Sequence, residues 1–250
     1  MSVKRFEEVA LSFFPQATLD FFNDGIQFGF NNYHVKEVNR IGYSVNLTPD
    51  ILKEALEKQV DLILTHHNIW EDHFEMREAC LKFLEEHNLI HFFNHLPLDA
   101  SEFGPSYALA ERLGLEVTDR ISFYEGFYFG VVGNLQPQTL DELTKRLENV
   151  LGHKVRVWKN NDRMIKRVGI VSGSGKDLAS LHEAKALGCD AYITGEKSLT
   201  TLLYARHIGL NFLLGSHTFT EIDGMRKYAQ LIKAKMPDVE IIELKEEWIE

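Results

Sequence analysis

The sequence predicts an α/β fold built as two related lobes, and three observations carry that expectation. Apolar runs of strand length, such as VDLILTHH (60–67) and CDAYITGE (189–196), alternate with amphipathic segments such as FEMREACLKFLEEHN (74–88). Such alternation is the pattern of a layered fold with largely parallel strands. The second half of the chain repeats the order of the first. Finally, 44% of the 250 residues are hydrophobic, enough for a substantial core.

Each element follows from local pattern. FEEVALSFFPQATLD (6–20) reads as a short helix stopped near Pro15, and FNDGIQFGF (22–30) as a turn-rich strand. VNRIGYSVNLT (38–48) is strand-like, and Thr48 caps a helix over ILKEALEKQ, whose apolar residues recur at helical spacing. The buried strand VDLILTHH follows, then the helix at 74–88 and the strand LIHFFNH (89–95). GPSYALAERLGL (104–115) is a helix with Gly114 near its end. In the second half FYFGVVGNL is a strand and TLDELTKRLENVLG a helix. VRVWK, KRVGIVSGSG, CDAYITGE and LNFLLGSH are strands with helices between them. The chain closes with the helix TEIDGMRKYAQLIKAKM, the strand VEIIEL and an acidic tail expected on the surface.

The repeat can be aligned residue by residue. Arg40-Ile-Gly matches Arg167-Val-Gly, Asp61 and Thr65 match Asp190 and Thr194, and His95 matches His217. Asp99 and Glu221 each follow that last histidine by four residues. Three matches in order imply two lobes, placed at 1–122 and 123–250, with strand ends facing one cleft.

Composition excludes several functions. The formal net charge of −10 argues against the phosphate backbone of nucleic acid as the main partner. No apolar run approaches the ~18 residues of a membrane span, and no N-terminal signal segment is evident, so a cytoplasmic protein is expected. The two cysteines suit a reduced compartment and ordinary packing.

In open α/β sheets, ligands bind beyond the carboxyl ends of the strands. The residues expected there are His66, His67, His95, Asp99, Glu196, His217 and Glu221. Histidines and carboxylates form the donor set of Zn, Mn, Fe or Co sites, and a carboxylate such as Asp99 or Glu221 can bridge two ions. His217 and Glu221 are spaced i,i+4 at a helix start, so both can reach one ion. In a strand His66 and His67 would face opposite ways; here the chain turns, and strict alternation lapses. Pro97 disfavours helix at Leu96, so His95 and Asp99 are not expected to share the helical geometry of His217 and Glu221. One of them can ligate while the other moves protons.

The segment VSGSGKD (171–177) fails as a phosphate loop, because Ile170 and Asp177 stand where Gly and Ser or Thr are needed. It reads as a β–α turn.

The motifs THH (65–67), NHLPLDA (94–100), VSGSG (171–175), DAYITGE (190–196) and the H-x3-E of GSHTFTE (215–221) together resemble the NGG-interacting-factor-three-like family, also called GTP cyclohydrolase I type 2 homologues. FNDGIQFG (22–29) resembles that family's N-terminal motif with Asn23 and Asp24 in reversed order. The resemblance spans nearly the whole chain. It implies two α/β lobes, a site for two divalent ions held by His66, His67, Asp99, His217 and Glu221, and ring-shaped homohexamers. Zn, Fe, Mn, Co and Ni are not distinguished by these donors. Asn68 replaces the family's usual Pro, and Leu96-Pro97 replaces a polar pair. The expected function is a metal-dependent hydrolase of a small nucleotide-like substrate, opening the imidazole ring of GTP with release of formate if the family name holds. His95 would move protons. The rival expectation is a non-enzymatic metal- or ligand-binding regulatory oligomer.

Overall fold

A computed structural model describes residues 2–22, 28–30 and 37–249. Most of FNDGIQFG lies outside these residues. In chain order the elements are α1 (Val3–Leu11), α2 (Gln16–Phe21), β1 (Phe28–Phe30), β2 (Arg40–Ser44), α3 (Pro49–Glu57), β3 (Leu62–Thr65), α4 (Phe74–Glu86), β4 (Ile90–Asn94) and α5 (Leu96–Asp99). Then come α6 (Pro105–Arg112), β5 (Glu116–Tyr124), β6 (Phe127–Gln138), α7 (Leu140–Leu151), β7 (Arg156–Trp158) and β8 (Ile165–Val171). The chain ends with α8 (Leu178–Ala186), β9 (Ala191–Thr194), α9 (Leu199–His207), β10 (Asn211–Leu214), α10 (His217–Lys235) and β11 (Glu240–Glu243). No helix among the described residues is long and apolar enough to cross a membrane.

The fold is mixed α/β with two sheets, one in each of two compact units. The first unit comprises Met1–Leu98 and Met225–Ile249, the second Asp99–Gly224. The expected cut after residue 122 falls inside β5. That strand pairs with β6, placing Ile121 opposite Gly130, so a cut there would divide a hairpin.

The first unit holds the sheet β1-β4-β3-β2-β11, parallel except for β1. All four residues of β3 are buried, as expected of a parallel strand covered on both faces. On one face Ile63 packs with Leu52 and Ala55 of α3 and with Cys80 and Leu84 of α4. Elsewhere in the unit, Phe6 of α1 meets Phe92 edge-on at 5.4 Å. Thr48 caps α3 as expected, accepting the Ile51 N–H.

The second unit holds the sheet β5-β6-β8-β9-β10-β7, in which β8, β9 and β10 are parallel. β5, β6 and β7 run antiparallel to their neighbours, so the sheet is more mixed than the sequence suggested. Neighbouring residues serve opposite faces. Ile170, Ile193 and Leu213 pack in one cluster with α6 and α7. Val171, Tyr192 and Phe212 pack in the other with α8 and α9. This strand alternation gives the sheet two apolar layers.

The units share one local device. In the first, the Asp61 carboxylate accepts the N–H groups of Asn39 (2.7 Å) and Arg40 (2.9 Å). In the second, Asp190 accepts those of Lys166 (3.0 Å) and Arg167 (3.3 Å). Each carboxylate therefore fastens the start of one parallel strand to the start of its neighbour.

Candidate metal centre

In the first unit the strand geometry ends at Thr65. The backbone N–H groups of His66 and His67 both donate to the Val45 carbonyl, at 3.1 and 2.9 Å. Two successive N–H groups on one acceptor break the pleat, so the two rings need not diverge. Their centroids are 4.8 Å apart. His66, fully buried, donates from Nδ1 to the Asn94 carbonyl at 3.0 Å. The carbonyl can only accept, so the proton sits on Nδ1 and Nε2 carries the lone pair a metal needs. His67 makes the same kind of bond to Asn46 Oδ1 at 2.9 Å. Such partners on the far nitrogen are how metal-ligating histidines are oriented.

His95 joins them. Its ring centroid lies 4.8 Å from that of His66 and 5.2 Å from that of His67. One nitrogen from each of the three falls within 4.8 Å of the others, a group that can hold a metal ion. Behind them, Thr65 Oγ1 donates to the His67 carbonyl (2.5 Å) and lies 2.6 Å from His91 Nε2. The single Thr65 proton is spent on the carbonyl, so His91 donates from Nε2. Burial pushes the His91 pKa down from 6.5 to about 3, which keeps this ring neutral.

One expectation about this region is corrected. Leu96 is helical, the first residue of α5 (Leu96–Asp99). Pro97 sits in the first turn, where a missing N–H costs nothing, and that outweighs the preference of the preceding residue for extended backbone.

In the second unit His217 opens α10, and its Nε2 lies 3.3 Å from Glu221 Oε1, in the expected i,i+4 relation. The Glu221 side chain is buried and His217 half-buried. Asp99 offers an oxygen within 4.8 Å of a Glu221 oxygen. Asp99 and His217 thus each bring a donor atom near Glu221, and carboxylate and imidazole donors are the kind that hold a cation. The backbone is shaped to admit them. Gly173 has φ +62°, and a Cβ there would fall 1.9 Å from Glu221 Oε1. A Cβ on Gly195 would fall 2.5 Å from the His217 Cα. Glycine at both positions is required by these approaches.

Glu196, which the sequence placed at a strand end but outside the ligand set, has a different task. It accepts the His217 Nδ1–H at 2.6 Å, and it also pairs with Lys176. Burial opposes charge on both groups. Even so, Glu221 and Glu196 raise the His217 pKa to about 10, while Lys176 and His217 hold Glu196 below its ordinary value. The orienting role of Asn46 carries no sequence signal, and although Thr65 and Asn94 stand in the THH and NHLPLDA motifs, their roles behind the histidines do not, because neither is a ligand type. Glu196 had one, as the repeat mate of His67.

The fold and these donor groups define an α/β protein of two sheet-bearing units with side chains able to hold a metal ion. The chain belongs to the Duf34/NIF3 (NGG1p interacting factor 3) family, whose profile matches residues 1–247. It is 30% identical over 223 residues to a Borreliella burgdorferi protein named GTP cyclohydrolase 1 type 2 homolog, covering 87% of this chain and 86% of that one. Among solved structures it resembles a protein described as ybgI, of unknown function, at 26% identity and TM-score 0.85, covering 98% and 99% of the two chains. Reduced HcgD from Methanocaldococcus jannaschii shares the fold at 24% identity and TM-score 0.80, with 98% of each chain covered.

Proposed function

We propose that the chain binds two divalent ions through His66, His67, Asp99, His217 and Glu221 and hydrolyses a small nucleotide-like substrate. The observation that carries this reading is the approach of Asp99 and of His217, each separately, to the buried Glu221, beside a glycine whose Cβ would collide with that carboxylate. The names of the curated relatives point to GTP, and the family resemblance implies ring opening with release of formate. A divalent ion at such a site lowers the pKa of water toward ~7. The chain's own residues do the rest. Glu196 and Asn46 hold the far nitrogens of His217 and His67, and His95 gives or takes a proton at its imidazole. The shared Asp61 and Asp190 devices support reading the units as an internal repeat. The same reading takes the protein as a cytoplasmic homohexamer with no nucleic-acid or membrane partner.

A second reading is favoured by one observation. His95 lies as close to His66 and His67 as a third ligand would. With His95 spent as a ligand, the proton-moving role given to it above is vacant, which fits a non-enzymatic metal-binding oligomer. Elemental analysis of purified protein, followed by a nucleotide panel including GTP, separates the two. Two ions per chain and turnover lost in Glu221→Ala support the hydrolase. Full metal content without Glu221-dependent turnover, and loss of metal in His95→Ala, supports the binding protein. Less than one ion per chain after reconstitution overturns both. Sizing by light scattering, with a mass about six times the 28.8 kDa chain, supports the hexamer.

A further inference from the structure

We propose that Glu246, in the segment after β11, is a positioning residue for His67, acting through Asn46. The inference rests on His67 being a metal ligand, as proposed above, but its geometry stands independently in the first unit. Glu246 Oε1 accepts the backbone N–H groups of Val45 and Asn46, both at 2.8 Å. The other carboxylate oxygen lies 3.4 Å from Asn46 Nδ2 and accepts from it. Val45 and Asn46 are the two residues that hold the histidine pair. The Val45 carbonyl takes both histidine N–H groups, and Asn46 Oδ1 takes the His67 Nδ1–H. Ser44 Oγ closes the turn by donating to the Asn46 carbonyl at 2.8 Å.

The consequence follows from donor and acceptor counting. An amide side chain offers an oxygen on one side and an NH2 on the other. The Glu246 carboxylate accepts only, so it takes the NH2 and leaves Asn46 to present its oxygen to His67. That oxygen also accepts only, so His67 must carry its proton on Nδ1, and Nε2 is left with a lone pair. A carboxylate 200 residues away in sequence therefore selects the tautomer of a candidate ligand. The acidic tail expected on the surface has this residue folded back onto the end of β2.

Two variants test the proposal in the full chain. In Glu246→Gln, one amide oxygen remains for the backbone N–H groups, but a donor replaces the acceptor that faces Asn46. The Asn46 amide then turns over, its NH2 faces His67, and the imidazole proton moves to Nε2. Nitrogen NMR of metal-free protein carrying isotope-labelled histidine reads that tautomer directly. Zn²⁺ affinity, measured by competition with a chromophoric chelator, should fall about 10–100-fold, the usual cost of losing an orienting partner. Glu246→Ala, which lacks the whole clamp, should lose a similar factor. A His67 that stays protonated on Nδ1 in Glu246→Gln, with Zn²⁺ affinity within twofold of wild type, overturns the proposal. A shifted tautomer with unchanged Zn²⁺ affinity upholds the positioning role and instead overturns the reading of His67 as a ligand.

Discussion

His66 and His67 are neighbours in sequence, yet each spends Nδ1 on a different acceptor, the Asn94 carbonyl and Asn46 Oδ1. The shared Val45 carbonyl makes this possible, because it takes both N–H groups and releases the pair from strand alternation. Below them, His91 shows what burial costs an imidazole. Its folded pKa of about 3 lies below the unfolded value of 6.5. Between those values the unfolded chain binds a proton that the folded chain refuses, so stability falls as pH drops from 6.5 toward 3. A shift of that size is worth as much as ~5 kcal/mol once pH reaches the folded pKa. Denaturant titrations of wild type and His91→Leu across this window provide the check. The variant should lose up to one proton from the slope of stability against pH, and parallel curves would refute the assignment. The histidines that the structure clusters could be named as candidates from the sequence, because metal chemistry restricts residue type. Asn46 and Glu246 could not be, because hydrogen-bond partners can come from any polar residue anywhere in the chain.

At the scale of elements, hydrophobic pattern carried most of the information. Apolar runs fully buried in a sheet, as in β3 and β9, leave little doubt about a parallel strand. Helix α3 announced its start through Thr48, and α10 placed His217 and Glu221 on one face. The hairpin partner β5 was missed because, apart from the buried Ile121, its residues are exposed or half-buried, so this edge strand shows no apolar run. Leu96 was misjudged because a pairwise rule about proline was weighed without the tolerance of a helix's first turn. The Asp61 and Asp190 devices give a test at this scale. Each joins the starts of two parallel strands through two backbone N–H groups. Asp61→Ala and Asp190→Ala should each cost ~1–3 kcal/mol in chemical denaturation, the price of leaving such groups without their acceptor. A loss below ~0.5 kcal/mol in either would show that water replaces the carboxylate.

Across the whole molecule, the proposed ligands come from both units. His66 and His67 lie in the first, while Asp99, His217 and Glu221 lie in the second. An ion held by either set binds only the folded chain, and its binding energy is added to the stability of the unit that holds it. At a hundredfold excess of free Zn²⁺ over its dissociation constant, that linkage amounts to ~2.7 kcal/mol per site. Metal-stripped protein should therefore melt earlier, with Zn²⁺ restoring the transition in a concentration-dependent way. Calorimetry of the Glu221→Ala chain provides the contrast, because it should melt at one temperature with or without Zn²⁺. The two units also offer an internal control. If Zn²⁺ bound only the histidines of the first unit, chelation would lower the unfolding temperature of that unit and leave the second unmoved. Tryptophan fluorescence can separate these cases, since Trp70 lies in the first unit and Trp158 in the second. Single-tryptophan chains that both shift on chelation support metal ligands in both units. A shift confined to Trp70 would restrict the ion to the histidine cluster.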